Sequence, residues 1–110
     1  MALDIYMTIE DNIATIKLVG ELDASTAANF KEKIEEAASQ NIKKLVLILD
    51  ELNYMASAGI RVLVFCKQKM GNDVDIDIVN PQEMVLDTIQ KTGIQYSVNI
   101  IENNLETSIS

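Results

Sequence analysis

The sequence predicts an α/β domain built on a mixed sheet of about four to five strands, with an opening antiparallel hairpin and helices packed on it. Three observations carry this reading. Leu3 to Glu10 and Ile13 to Val19 each alternate in polarity on either side of Asp11-Asn12, as two half-buried strands joined by a tight turn do. Leu45 to Leu49 is apolar at every position. Segments of helical period separate it from the strands before and after, and that succession demands parallel crossovers.

Taken in order, the first strand turns Leu3, Ile5, Met7 and Ile9 to one side, and the second turns Ala14, Ile16 and Leu18. Gly20-Glu21-Leu22-Asp23 breaks the alternation. A helix follows, with Asp23, Ser25 or Thr26 as candidate caps and Phe30, Ile34 and Ala37 as its inner face. The run Leu45 to Leu49, ending at Asp50, suits a central strand covered on both faces. From Ser57 the period is helical again, with Ile60, Leu63, Val64 and Lys67 sharing one face until Gly71-Asn72. Asp73 to Val79 alternates as a strand with one wet, acidic face near a sheet edge. Asn80-Pro81 opens a third helix with proline in its first turn; Val85, Leu86 and Ile89 face inward and Gly93 closes it. Tyr96 to Ile101 reads as a short last strand, and residues 103–110 as one weak helical turn.

The composition bounds what the chain can do. Its 110 residues, 48% hydrophobic and 24% charged, make one domain, expected over 1–110, with no linker or low-complexity tract. A formal charge of -8 opposes nucleic acid and anionic membranes as partners and favours a basic protein surface. There is no histidine, so Ser-His and Cys-His catalysis and His-ligated zinc are excluded. The single cysteine, Cys66, falls in an apolar helical run and reads as an inert buried thiol. The opening MALDIYMTIEDN lacks a basic region followed by an apolar stretch, and no apolar run is long enough to span a membrane. The expectation is a cytoplasmic protein without membrane insertion, cofactor or metal, and not an enzyme.

Three places invite a functional reading. At Ala56-Ser57-Ala58-Gly59, Ser57 serves either as the N-cap of a helix or as a hydroxyl open to phosphorylation, because a phosphate is tolerated at a helix N-terminus. Glu21-Leu22-Asp23 ends the second strand; if strands two and three are neighbours, Asp23 lies near Ser57, unless it merely caps the first helix. Asp73, Asp75 and Asp77 lie on one strand face, where a solvated surface outweighs a site for a hard cation.

The stretch LVGELDASTAANFKEKIEEAASQNIKKLVLILDELNYMASAGIRVLV resembles the core of the STAS domain, the fold of bacterial anti-sigma factor antagonists. The matching motifs are Gly20-Glu21-Leu22-Asp23, Thr26-Ala27, Leu45 to Asp50, and Tyr54-Met55-Ala56-Ser57-Ala58-Gly59-Ile60. The resemblance implies partner switching: binding to an anti-sigma factor that is also a serine kinase, release on phosphorylation of Ser57, and resetting by a PP2C-type phosphatase. It marks Ser57 as the phosphosite. Around it, Asp23, Glu21, Met55, Ala56, Ala58, Gly59 and Ile60 are the partner-binding set. A weak homodimer is left open. So are a phosphorylation-independent scaffold subunit and an accessory subunit of a transporter. The chain departs from the family at Ala56, where an aspartate usually precedes the serine.

Overall fold

The computed structural model describes residues 2–102. Its elements run β1 (Leu3–Glu10), β2 (Ile13–Leu22), α1 (Ala27–Ala38), β3 (Lys44–Met55), α2 (Ser57–Met70), β4 (Asp75–Val79), α3 (Glu83–Thr92) and β5 (Asn99–Ile101), with short 3-10 turns at Gly71–Asp73 and Ile94–Tyr96. The strands form one sheet in the order β1-β2-β3-β4-β5, with β1 antiparallel to β2 and every later pair parallel. The mixed sheet, the hairpin and the packed helices are as the sequence predicts. The weak helical turn expected over 103–110 lies outside the described residues.

The hairpin closes on two residues. Glu10 pairs with Ile13, and Asp11 and Asn12 both take positive φ, 53° and 66°. Two left-handed residues match the twist of the flanking strands. Because each later strand is added on the same side of the last, right-handed crossovers carry all three helices to one face of the sheet. That face holds the core. Ala14, Ile16 and Leu18 of β2 meet Leu45, Leu47 and Leu49 of β3 and Ile76 and Ile78 of β4, beneath Phe30 and Ile34 of α1, Leu63 and Cys66 of α2, and Val85 and Ile89 of α3.

The structure corrects several sequence expectations. β3 does not stop at Asp50, and it is not covered on both faces, since Val46 and Ile48 are only half-buried on the side away from the helices. Its far half carries two bulges opposite β2, where Lys17 to Val19 faces Ile48 to Glu51 and Gly20 to Glu21 faces Leu52 to Tyr54. Each bulge adds a residue, so the inward positions become Leu49, Leu52 and Met55. That spacing of three breaks the alternation by which a strand is recognised.

On α2 the buried set is Gly59, Ile60, Val62, Leu63 and Cys66, whereas Val64 is exposed. Every residue from 62 to 66 is apolar, so the period alone leaves the helix free to rotate by one position. Pro81 lies before α3 rather than in its first turn, with Gln82 at the N-cap. β4 begins at Asp75, and its acidic face is not wholly wet. Asp77 is 7% exposed, accepts a hydrogen bond from Asn99 Nδ2 at 2.9 Å and lies 3.4 Å from Lys44 Nζ. Residues 94–96 form a 3-10 turn, which shortens β5 to three residues.

Candidate functional site

β2 and β3 end together, because their last residues, Leu22 and Met55, are paired in parallel. Asp23 and Ala56 therefore leave the sheet side by side, and the Ala56 N–H donates to the Leu22 carbonyl at 2.9 Å. Gly20 fixes the approach to this point. Its φ is +116°, and a Cβ there would strike the Ala2 carbonyl, which instead accepts the Glu21 N–H at 3.2 Å. Only glycine fits both constraints.

Beyond Leu22 the chain makes a tight turn organised by Asp23 and Thr26. Asp23 Oδ1 accepts the Ser25 hydroxyl at 2.7 Å, the Ser25 amide at 2.9 Å and the Thr26 amide at 3.2 Å. The Ser25 hydroxyl above all holds the Asp23 carboxyl below its ordinary pKa; desolvation opposes it, and the Ser25 and Thr26 amides and the Thr26 hydroxyl add smaller lowering contributions. Thr26 is 6% exposed; its hydroxyl accepts the Asp23 N–H at 2.9 Å and donates to the Glu21 carbonyl at 3.0 Å. α1 then starts at Ala27, with Thr26 at its N-cap position and no side-chain cap.

Across from this turn, α2 begins without a side-chain cap as well. Its N-cap is Ala56, in extended conformation, and Ser57 is its first helical residue. The expectation that Ser57 itself caps the helix is thus corrected by one position: the cap site holds a methyl group. Ser57 is exposed, and among the described residues its hydroxyl has no hydrogen-bond partner. Below it, Gly59 lets the first turn settle onto the core, since a Cβ there would lie 2.7 Å from Leu22 Cδ2 and 3.0 Å from Met55 Cγ. The bulged end of β3 is held by α3's N-cap residue: Gln82 Nε2 donates to the Asp50 carbonyl at 3.0 Å and to Asn53 Oδ1 at 3.2 Å.

The residues marked in the sequence gather here, at the C-terminal ends of β2 and β3, but they divide by depth. Ser57 is exposed, and Glu21, Asp23, Ala56 and Ala58 are half-exposed around it. Met55 at 2%, Gly59, and Ile60 at 6% turn inward and form the floor beneath the site. Thr26 is the residue whose weight the sequence understated. An Asp three residues before a Thr, ahead of an apolar helical period, is the available signal, but it does not reveal that the hydroxyl bonds back to Glu21. Arg61, one turn along α2 from Ser57, is exposed. The acids Asp73, Asp75 and Asp77 do not converge, and among the described residues no group of three acids or thiols is placed to hold a metal. No helix among them is long and apolar enough to cross a membrane.

Comparison with known proteins places this geometry. A family model, the STAS domain, matches residues 4–108. The anti-sigma-F factor antagonist RsfB of Mycobacterium tuberculosis is 31% identical over 77 residues, covering 68% of this chain and 63% of that protein, so the match spans less than two thirds of the relative. An anti-sigma-B factor antagonist of Staphylococcus aureus is 23% identical over 103 residues, covering 93% and 95%. Among solved structures, an anti-sigma factor antagonist from Mycobacterium paratuberculosis superposes with a TM-score of 0.84 at 18% identity, covering 98% of this chain and 92% of that one. SpoIIAA in its unphosphorylated form gives 0.78 at 20% identity over 98% and 93%. The phosphorylated form, from Bacillus, gives 0.71 at 19% over 98% and 96%.

Proposed function

The chain belongs to the STAS domain family, and from that premise we propose that it is an anti-sigma factor antagonist switched by phosphorylation of Ser57. The observation that carries the reading is the setting of Ser57. Its hydroxyl is exposed and unengaged in the first turn of α2, beside the Asp23 turn. A kinase can reach it without unfolding anything. In the transfer, Ser57 Oγ attacks the γ-phosphorus of ATP, the bond to ADP breaks, and the hydroxyl proton passes to the kinase.

The unphosphorylated surface around Ser57 binds the anti-sigma factor, a serine kinase, through Glu21, Asp23, Ala56 and Ala58, and so frees the sigma factor. A phosphate there adds a charge of about -1.5 to -2 to a surface that must lie against the partner, which costs both repulsion and desolvation. Binding is lost, and a PP2C-type phosphatase restores it by hydrolysing the phosphoserine.

Ala56 favours a second reading, in which the chain binds its partner permanently as a scaffold subunit because the acid that usually precedes the serine is missing. Incubation with the cognate kinase and ATP, followed by mass spectrometry, decides between them. Phosphate on Ser57 of the parent, none on Ser57→Ala, and loss of the complex on phosphorylation are expected. A stable complex with Ser57 unmodified would leave the scaffold reading.

A further inference from the structure

Ser57 and Arg61 are separated by one turn of α2, the i,i+4 spacing that brings side chains to within roughly 6 Å at Cβ. Both are exposed, so they share the outer face of the helix. Among the described residues Arg61 makes no ion pair, hydrogen bond or ring contact. One turn further along α2, Lys31 lies over the Phe65 ring at 4.6 Å from its centroid and is engaged there. Resting on the reading of Ser57 as the phosphosite, we infer that Arg61 is the intramolecular partner of the Ser57 phosphate and draws it down along α2.

The orientation supports this. Side chains on a helix slope toward its N-terminus, so the Arg61 guanidinium is able to reach back over the turn that Ser57 begins. An anionic residue N-terminal to a cationic one is also the better of the two i,i+4 arrangements. The guanidinium fork suits two phosphate oxygens at once. The opposing charges nearby are Glu21, at the end of β2, and Asp23, on the turn that follows it. Their carboxylates repel a phosphate and favour its approach to Arg61. Phosphorylation then does two things: it adds negative charge beside Asp23, and it takes Arg61 away from any acidic group on the partner. With Ala56 at the cap position, no acid immediately before Ser57 competes for the guanidinium.

The test uses phosphoserine installed at position 57 during translation, so it needs no kinase. The second ionisation of the phosphate is followed by phosphorus NMR in the parent, Arg61→Gln and Arg61→Lys. The helix end and the two carboxylates are common to all three, so differences report residue 61. The parent phosphate is expected to titrate lower than that of Arg61→Gln by roughly half a pKa unit, a modest shift for an exposed pair. Arg61→Lys, which keeps the charge without the fork, is expected between them. Equal values in all three proteins would overturn the inference. Circular dichroism checks that the variants fold, as expected for an exposed position. Failure of the kinase to modify Ser57 would sink the phosphoswitch reading while this titration still reported on the pair.

Discussion

The Ala56 amide donates to the Leu22 carbonyl at 2.9 Å, and through that bond the start of α2 is fixed against the turn that Asp23 begins. It joins two chain segments more than thirty residues apart at the one place where the exposed serine is presented. The start of α2 is therefore tied to β2 through backbone at Ala56, so the Ala56 side chain itself can be changed with little effect on where Ser57 sits.

Ala56→Asp is one such change. An aspartate at this N-cap position can accept first-turn amides of α2 that now lack a side-chain acceptor, and its charge suits the helix N-terminus. Repulsion from Asp23 works against it across partly exposed surface. Ala56→Asp is expected to stabilise the fold by about 0.5–1 kcal/mol, read as a raised urea midpoint with unchanged slope. An unchanged or lower midpoint would mean that the amides are already well satisfied by water or that the two carboxylates dominate.

Thr26 holds the other side. Thr26→Val keeps the shape but leaves the Asp23 amide without its acceptor and the Glu21 carbonyl without its donor. A loss of roughly 1–3 kcal/mol follows from stranding such groups, whereas Thr26→Ser retains both bonds and is expected to lose far less. A loss in Thr26→Ser as large as or larger than that in Thr26→Val would overturn this, because Thr26→Val keeps the methyl and removes only the hydroxyl.

These two residues show where the sequence was legible and where it was not. The hairpin, the inner face of α1 and the end of α3 at Gly93 were readable, because each rests on a local rule: a two-residue left-handed turn, a helical period, and a glycine at φ +79°. β3 defeated the reading beyond Asp50 because its bulges exist only relative to β2, and pairing between distant strands leaves no local mark. The parallel exit of Asp23 and Ala56 from β2 and β3 is legible from strand adjacency. The Thr26 hydroxyl's bond to the Glu21 carbonyl, and Ala56 rather than Ser57 at the cap, leave no mark in the sequence because both depend on how the turn folds back on β2.

The depressed pKa of Asp23 makes stability depend on pH. A carboxyl with a folded-state pKa below its unfolded value contributes stability above the unfolded pKa, and that contribution is lost as pH falls through the folded one. The parent is therefore expected to lose stability below roughly pH 4 more steeply than Asp23→Asn, whose amide does not titrate in this range. Parallel acid limbs for the two proteins, measured by urea unfolding from pH 6 downward, would show that the Ser25 and Thr26 bonds do not favour the ionised form.

Gly59 is buried beneath the serine, so its role should appear in stability first. A methyl group there meets Leu22 Cγ at 2.8 Å as well as Cδ2, and Leu22 is fully buried, so its side chain would have to shift within the core. Gly59→Ala is expected to cost about 1–3 kcal/mol from overpacking, despite alanine's better helix propensity. If instead it proved stabilising, propensity would have won and the contact would have relaxed by a small shift of α2.

Cys66 offers a probe of the core that does not touch the site. It is fully buried, and burial pushes its thiol up to about 12, with the charge of Lys67 acting weakly the other way. At neutral pH the thiolate fraction is then lower than that of an ordinary thiol by roughly a thousandfold, and the sulfur is also out of reach. A thiol-reactive reagent is expected to leave the native protein unlabelled and to modify Cys66 only as urea opens the fold. Labelling should follow the unfolding transition seen by circular dichroism. Rapid modification under native conditions would instead mean that α2 lifts from the sheet on its own. Ser57 and Arg61 would then stand on a mobile helix rather than a fixed one.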